Sequence, residues 1–214
     1  MKKILSLLIV VGFSFSSFAG EPINGKKSGL LSNKSDGEKC YDENTHIINI
    51  GVGFGSGGYY RYSGGKYTSS PAMSVSYEQP WPKKLGPGFL GVGAYLGFQT
   101  THYRYDYNNY WGNNYYYEER RNYFTVTGRA TYHWDVLNSS KAEVYAGVLI
   151  GARFRTYSYN DNDPNNDYHD AGSVAYPTGG GFVGARYYFA KNIGVYAEAG
   201  YGISYATVGL SIKF

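Results

Sequence analysis

A chain of 214 residues has the length of one ordinary domain plus a targeting segment, and no stretch reads as a linker to a second globular unit. Its 26 tyrosines and 30 glycines, with 17% charged residues, depart from soluble composition, while a polar mean hydropathy argues against a bundle of membrane helices. The net charge of +4 is scattered, without the basic block or helix that would make nucleic acid a partner.

Lys2 and Lys3 precede an apolar run from Ile4 to Phe15, and Ser17-Phe18-Ala19 supplies the small residues of a cleavage site, so residues 1–19 read as a signal peptide cut after Ala19. The run falls short of the roughly 20 residues that a spanning helix needs. Residues 20–44 are polar and without period, and are expected to form a flexible periplasmic N-terminal extension. Within it, Cys40 is the single cysteine; it has no disulfide partner and no metal-ligand spacing, and reads as a spare thiol.

From residue 45 the hydrophobic period becomes two. Ile48, Ile50, Val52 and Phe54 mark a first strand; Met73, Val75 and Tyr77 a second. Leu90, Val92, Ala94, Leu96 and Phe98 alternate against Gly91, Gly93, Tyr95, Gly97 and Gln99. Phe124, Val126, Gly128, Ala130, Tyr132 and Trp134 alternate against Thr125, Thr127, Arg129, Thr131 and His133. In the fifth, Val144, Ala146, Val148, Ile150, Ala152 and Phe154 oppose Glu143, Tyr145, Gly147, Gly151, Arg153 and Arg155, with Leu149 an apolar exception on the inward face. Val183, Ala185, Tyr187 and Phe189 mark a sixth, and Ile193, Val195, Ala197, Ala199 and Tyr201 a seventh. In the last, Ala206, Val208, Leu210, Ile212 and Phe214 oppose Tyr205, Thr207, Gly209, Ser211 and Lys213.

Apolar stretches of roughly 9 to 11 residues, tilted, span about the 25 Å of a lipid-facing band. Connections alternate as well. Gln79–Gly88, Asp135–Ala142 and Ala190–Asn192 are compact; Gly55–Ser70, Arg104–Arg121 and Ser158–Val174 are long and polar. Short periplasmic turns and long outer loops give that alternation, and place a tight turn near Ser204 outside. Trp81, Trp134, Phe189 and Phe214 are expected at one interfacial girdle, and Tyr103, Phe154 and Tyr157 at the other. The expected fold is all-β: an antiparallel up-and-down transmembrane β-barrel of eight strands over residues 45–214. A soluble sandwich would also alternate, but explains neither the loop asymmetry nor the girdles.

Signal peptide, eight alternating strands and a terminal aromatic residue together resemble the small OmpA-like and OmpX-like outer-membrane barrels. The resemblance implies location in the cell outer membrane, and it implies that Leu210, Ile212 and Phe214 are the signal read by the barrel-assembly machinery. It departs from OmpA-like proteins in having no peptidoglycan-binding domain after the barrel.

Eight strands enclose an interior that side chains fill. Glu78, Glu143 and Glu198 face inward with Arg129, Arg153, Arg186 and Lys213, and are expected to form a paired lumen network, with a narrow gated conduit or a proton relay as the rival reading. Arg61, Lys66, Arg104, Arg120, Arg121 and Arg155 fall near the outer rim, where lipopolysaccharide phosphates would contact them. The tyrosines and asparagines between Tyr103 and Tyr123 offer either a recognition surface for an extracellular ligand or a strand extension above the membrane.

Asp161, Asp163, Asn165 and Asp167 lack the glycine and closing glutamate of a calcium loop. His102, His169, Asp170 and Ser158 are the only raw material for a lipid A-modifying enzyme, and no spacing ties them together. No cofactor is expected. The reading is a non-enzymatic barrel with a structural or surface-interaction role, against a passive small-solute conduit or a lipid A-modifying enzyme.

Overall fold

The computed structural model describes residues 39–55, 64–108, 114–134, 137, 139–163 and 170–214. The expected signal peptide, residues 20–38 of the expected extension, and Arg61, Trp111, Asp135, Asn165, Asp167 and His169 lie outside the described residues.

Alternation of apolar and polar side chains along extended backbone produces the strands β1 (Ile47–Phe54), β2 (Lys66–Ser69), β3 (Ala72–Leu85), β4 (Gly88–Asn108), β5 (Asn114–Trp134), β6 (Ala142–Asp161), β7 (Ala171–Tyr188), β8 (Ile193–Gly200) and β9 (Ala206–Lys213). Pairing is antiparallel and runs β1–β3–β4–β5–β6–β7–β8–β9, with β9 back on β1. That is a closed ring of eight. β2 is the upper part of the second barrel strand: it pairs with β4, as β3 does, but the register slips from Ser69↔Thr101 to Met73↔Phe98 across Ser70 and Pro71. Proline has no N–H for the ladder. The slip is stitched instead by the Gln99 side-chain amide, which donates to Ser69 Oγ and to the Ser70 carbonyl, each at 3.1 Å.

Polarity is inverted relative to a soluble protein. Ile150 is 76% exposed and Val183 61%, whereas Glu78, Thr131 and Ser211 are fully enclosed. A closed ring with an apolar outer surface and a polar interior is a membrane-spanning barrel, because closure lets the backbone N–H and C=O groups pair between strands and leaves no open edge to lipid. A sandwich would need a second sheet to cover that surface. No helix among the described residues is long and apolar enough to cross a membrane.

One end of the barrel carries short connections. There Gly86, at φ 61°, takes the left-handed conformation that the turn between Leu85 and Gly88 requires. The other end differs from expectation. β4 and β5 stay paired from Gly88↔Trp134 to Asn108↔Asn114, and β6 follows them up to Tyr117↔Asp161. The segment 104–121, expected as a long loop, is therefore mostly a strand extension. The turn near Ser204 also differs: it dips into the lumen, where Ile203 is buried against Ala72, Tyr95 and the inward Leu149.

The girdles are corrected in the same way. Trp81, Trp134, Phe189 and Phe214 are exposed at the turn end. At the hairpin end Tyr103 and Tyr157 lie on the inward register, and the outward aromatic residues include Phe54, Phe98, Phe124 and Phe154, the last two with ring centroids 6.5 Å apart.

Candidate functional site

Two groups of side chains stand out: a charge cluster inside the barrel and a tyrosine face above it. Inward positions follow from register. Glu78 on β3 is paired with Gly93 on β4, Gly93 with Arg129 on β5, and Glu143 on β6 with Arg186 on β7. The glycine between Glu78 and Arg129 lets the strands close up, since a Cβ on Gly93 would sit 1.8 Å from the Tyr77 carbonyl oxygen.

Arg129 bridges the lumen. Its Nε donates to Glu78 Oε2 at 3.1 Å and to Thr131 Oγ1 at 3.2 Å, while Nη1 and Nη2 take Glu198 bidentately at 3.2 and 2.5 Å. The Tyr145 hydroxyl donates to Glu198 Oε1 at 3.0 Å, and the Thr131 hydroxyl to Glu78 Oε2 at 2.9 Å. Nearer the turn end, Arg186 Nη1 pairs with Glu143 Oε1, and its guanidinium lies 4.6 Å over the Tyr145 ring. His133 joins the two halves, with Nε2 2.5 Å from Glu78 Oε1 and Nδ1 3.0 Å from Glu143 Oε2. Two guanidiniums and the His133 imidazole stand against three carboxylates. Charges so enclosed persist only when paired and hydrogen-bonded.

Of the seven residues expected in this network, Glu78, Arg129, Glu143, Arg186 and Glu198 are brought together. Arg153 and Lys213 face inward but stand apart. Arg153 donates to Thr125 Oγ1 at 3.1 Å and to the Gly202 carbonyl at 2.9 Å, holding the inward turn rather than a carboxylate. Lys213 has its ammonium 4.7 Å over the Tyr188 ring. The residue missing from the expectation is His133; its place on the inward register of β5, four positions from Arg129, was the available signal.

Apolar layers flank the cluster on both sides. Ile203, Tyr95 and Leu149 cover it toward the hairpins. Toward the turns, Tyr41, Ile47 and Phe89 form a second apolar layer. Cys40 and Tyr41 are buried, so the end of the stretch expected to be a flexible extension is packed into the barrel.

Above the lipid band, β4, β5 and β6 continue as a three-stranded flap. On its inward register, Tyr103, Glu119 and Tyr159 align in one row, and Tyr105, Tyr117 and Asp161 in the next, with Tyr107 beside Tyr115 beyond. Rings pack side by side, 5.9 Å between Tyr117 and Tyr159, 6.0 Å between Tyr105 and Tyr107, and 5.8 Å between Tyr107 and Tyr115. The opposite face is charged: Arg104 Nε lies 2.9 Å from Asp106 and its guanidinium stacks 4.4 Å over Tyr116, and His102 pairs with Glu118.

These registers correct the expected rim. Lys66, Arg104 and Arg120 are exposed, and Arg61 lies outside the described residues. Arg121 and Arg155 point inward: they sit on the register of Tyr123 and Tyr157, half-buried, with Arg121 paired to Glu119. Because the sheet continues past the membrane, the alternation of faces continues with it. His102 pairs with Glu118, and Ser158 and Asp170 line one pocket together with Glu118 and Arg120. No group of metal-ligating residues is found among the described residues.

Solved structures of similar architecture exist. The chain is similar to the N-terminal β-barrel domain of OprF from Pseudomonas aeruginosa, at 14% identity and a TM-score of 0.42, covering 80% of this chain and 98% of that one. It is also similar to Ail, the attachment invasion locus protein of Yersinia pestis, at 12% identity and 0.40, covering 80% and 96%. A third is the outer membrane protein OprG from Pseudomonas aeruginosa, at 12% and 0.39, covering 84% and 98%. Neither a protein-family model nor a curated protein sequence matches the chain.

Proposed function

We propose that the protein is an integral outer-membrane barrel with a filled lumen as scaffold and the tyrosine flap as a cell-surface recognition element. The observation that carries this reading is the flap: paired strands lift a row of aromatic faces out of the membrane on a rigid support. Tyrosine supplies large amphipathic contact area at low conformational entropy cost, with hydroxyls for adaptable hydrogen bonds. The charge cluster fits a scaffold role, since both guanidiniums are paired with carboxylates of the cluster.

In this reading the turn end faces the periplasm, after export by residues 1–19. The exposed cations Lys66, Arg104 and Arg120 meet lipopolysaccharide phosphates at the outer rim. Leu210, Ile212 and Phe214, all facing outward on the terminal strand, serve the barrel-assembly machinery.

The test is a hairpin trimmed at a register pair, with Arg104 to Glu118 replaced by a two-residue Asn-Gly turn between Tyr103 and Glu119. Purified parent and trimmed proteins are compared for binding to immobilised glycans and matrix proteins. Heat-modifiable gel migration verifies that the trimmed barrel still folds. Loss of binding with an intact barrel is the expected result; equal binding by both proteins overturns the recognition reading.

A further inference from the structure

The chain before β1 does not leave the barrel straight. Asp42 and Thr45 lock a reversal: Thr45 Oγ1 donates to Asp42 Oδ1 at 2.7 Å, the Asp42 N–H donates to Thr45 Oγ1 at 3.1 Å, and the Asn44 N–H donates to Asp42 Oδ1 at 2.9 Å. This side-chain-closed turn is what Asp and Thr at that spacing favour. On its far side His46 is fixed to the end of the chain. His46 N–H donates to the Phe214 carbonyl at 2.9 Å, Phe214 N–H donates back at 3.0 Å, and the two rings stack at 5.8 Å. The reversal therefore has an anchored base, and the residues before it are turned back toward the lumen.

Those residues enter the mouth. Tyr41 lies flat on His133, with ring centroids 3.7 Å apart and planes 5° from parallel, and meets Phe89 edge-on at 6.4 Å. Its hydroxyl lies beside Gly91 on the inner wall, where an added Cβ would find Tyr41 Oη and Glu78 Oε1 each at 2.8 Å. Cys40 is enclosed beside it, in a small cavity lined also by Phe89, Trp134, Ala142 and Glu143.

We propose that residues 39–46 are a built-in stopper, hinged at the Asp42–Thr45 turn, that closes the turn end of the lumen by seating Tyr41 on His133. With the strap seated, the charge cluster is shut off from solvent on this side; with the strap lifted, His133 becomes the floor of an open vestibule flanked by Glu78 and Glu143. The two ends of the lumen are unlike in this respect. Ile203, at the hairpin end, is fixed within a connection of five residues between two barrel strands, whereas Tyr41 precedes the first strand of the ring and is followed at once by the Asp42–Thr45 reversal. On the orientation proposed above, the stopper faces the periplasm, but its existence does not depend on that orientation or on the recognition reading.

Cys40, the only thiol of the chain, reports the seat directly. The test is the labelling rate of the refolded full chain in detergent micelles with a charged, water-soluble maleimide, against the same chain unfolded in urea. The seated strap is expected to slow labelling by about tenfold or more, the protection of a locally closed segment. Tyr41→Phe keeps the ring and should label as slowly as the parent. Tyr41→Ala should label at nearly the unfolded rate while gel migration shows the barrel still closed, and Thr45→Ala should fall between. If Tyr41→Ala fails to fold, Thr45→Ala and the parent still decide. Rapid labelling of the folded parent overturns the stopper, as does slow labelling of a folded Tyr41→Ala.

Discussion

Replacing Arg129 by methionine tests the claim that the lumen is a mutually neutralised cluster. The guanidinium has only 1% of its side-chain surface exposed and holds two carboxylates, Glu78 at 3.1 Å and Glu198 at 2.5 Å. Methionine fills much of the volume but leaves both acids. Glu78 keeps Thr131 and His133, whereas Glu198 is left with the Tyr145 hydroxyl. Removing one partner of a buried pair costs about 3–5 kcal/mol, most of it the stranded charge. Glu198→Gln, which weakens a charged hydrogen-bonded pair without stranding an acid, should cost about 1.5–3 kcal/mol. The double variant should be more stable than Arg129→Met alone, with a coupling of about 1–3 kcal/mol in the cycle. Urea unfolding from lipid vesicles, followed by tryptophan emission, measures all four proteins. An Arg129→Met penalty under about 1 kcal/mol, or strict additivity of the two changes, would refute the reasoning.

Glycine placement gives a paired test. Gly93→Ala should fail to reach the compact, heat-modifiable form, since its Cβ meets the Tyr77 carbonyl oxygen at 1.8 Å, while Gly128→Ala should fold normally with its nearest neighbour, the Ile150 carbonyl oxygen, at 3.7 Å. On the lipid face, Val208→Lys in mid-β9 should cost about 2–4 kcal/mol in the same urea assay. Arg104→Ala, breaking an exposed pair with Asp106, should cost under about 1 kcal/mol. Burial, and secondly Glu143, push the Cys40 thiol up from 9.0 to about 12. Since the folded value is the higher one, its contribution to stability is complete below pH 9 and fades as pH climbs toward 12. Alkylation of the folded chain by iodoacetamide should accordingly keep rising about tenfold per pH unit from roughly pH 9 to 11, where the unfolded chain's ordinary thiol levels off; a plateau shared with the unfolded chain would contradict the seat.

Strand number, closure and the inward carboxylates were legible because lipid on one side and a filled lumen on the other impose a strict period of two. Above the lipid band both faces of β4, β5 and β6 meet water, the period leaves no hydrophobic trace, and Arg121 and Arg155 could not be told from outward-facing cations. Tyr41 was hidden for another reason: it sits in a polar run with no period, and its burial depends on a cavity built by Phe89 and His133 from distant strands. Ile203 was hidden likewise, since a lone apolar residue in a turn carries no direction.

The seam between β1 and β9, paired from Ile47↔Lys213 to Phe54↔Ala206, joins the strands farthest apart in the chain. Every other junction of the ring can zip locally from a connection between successive strands, but this one pays the loop-closure entropy of the whole barrel and forms late. Until then the protein is an open sheet with two raw edges, each a template for pairing with another chain. Its hazardous interval thus precedes closure, and whatever shelters the nascent sheet must hold β1 and β9 apart from strangers until they meet.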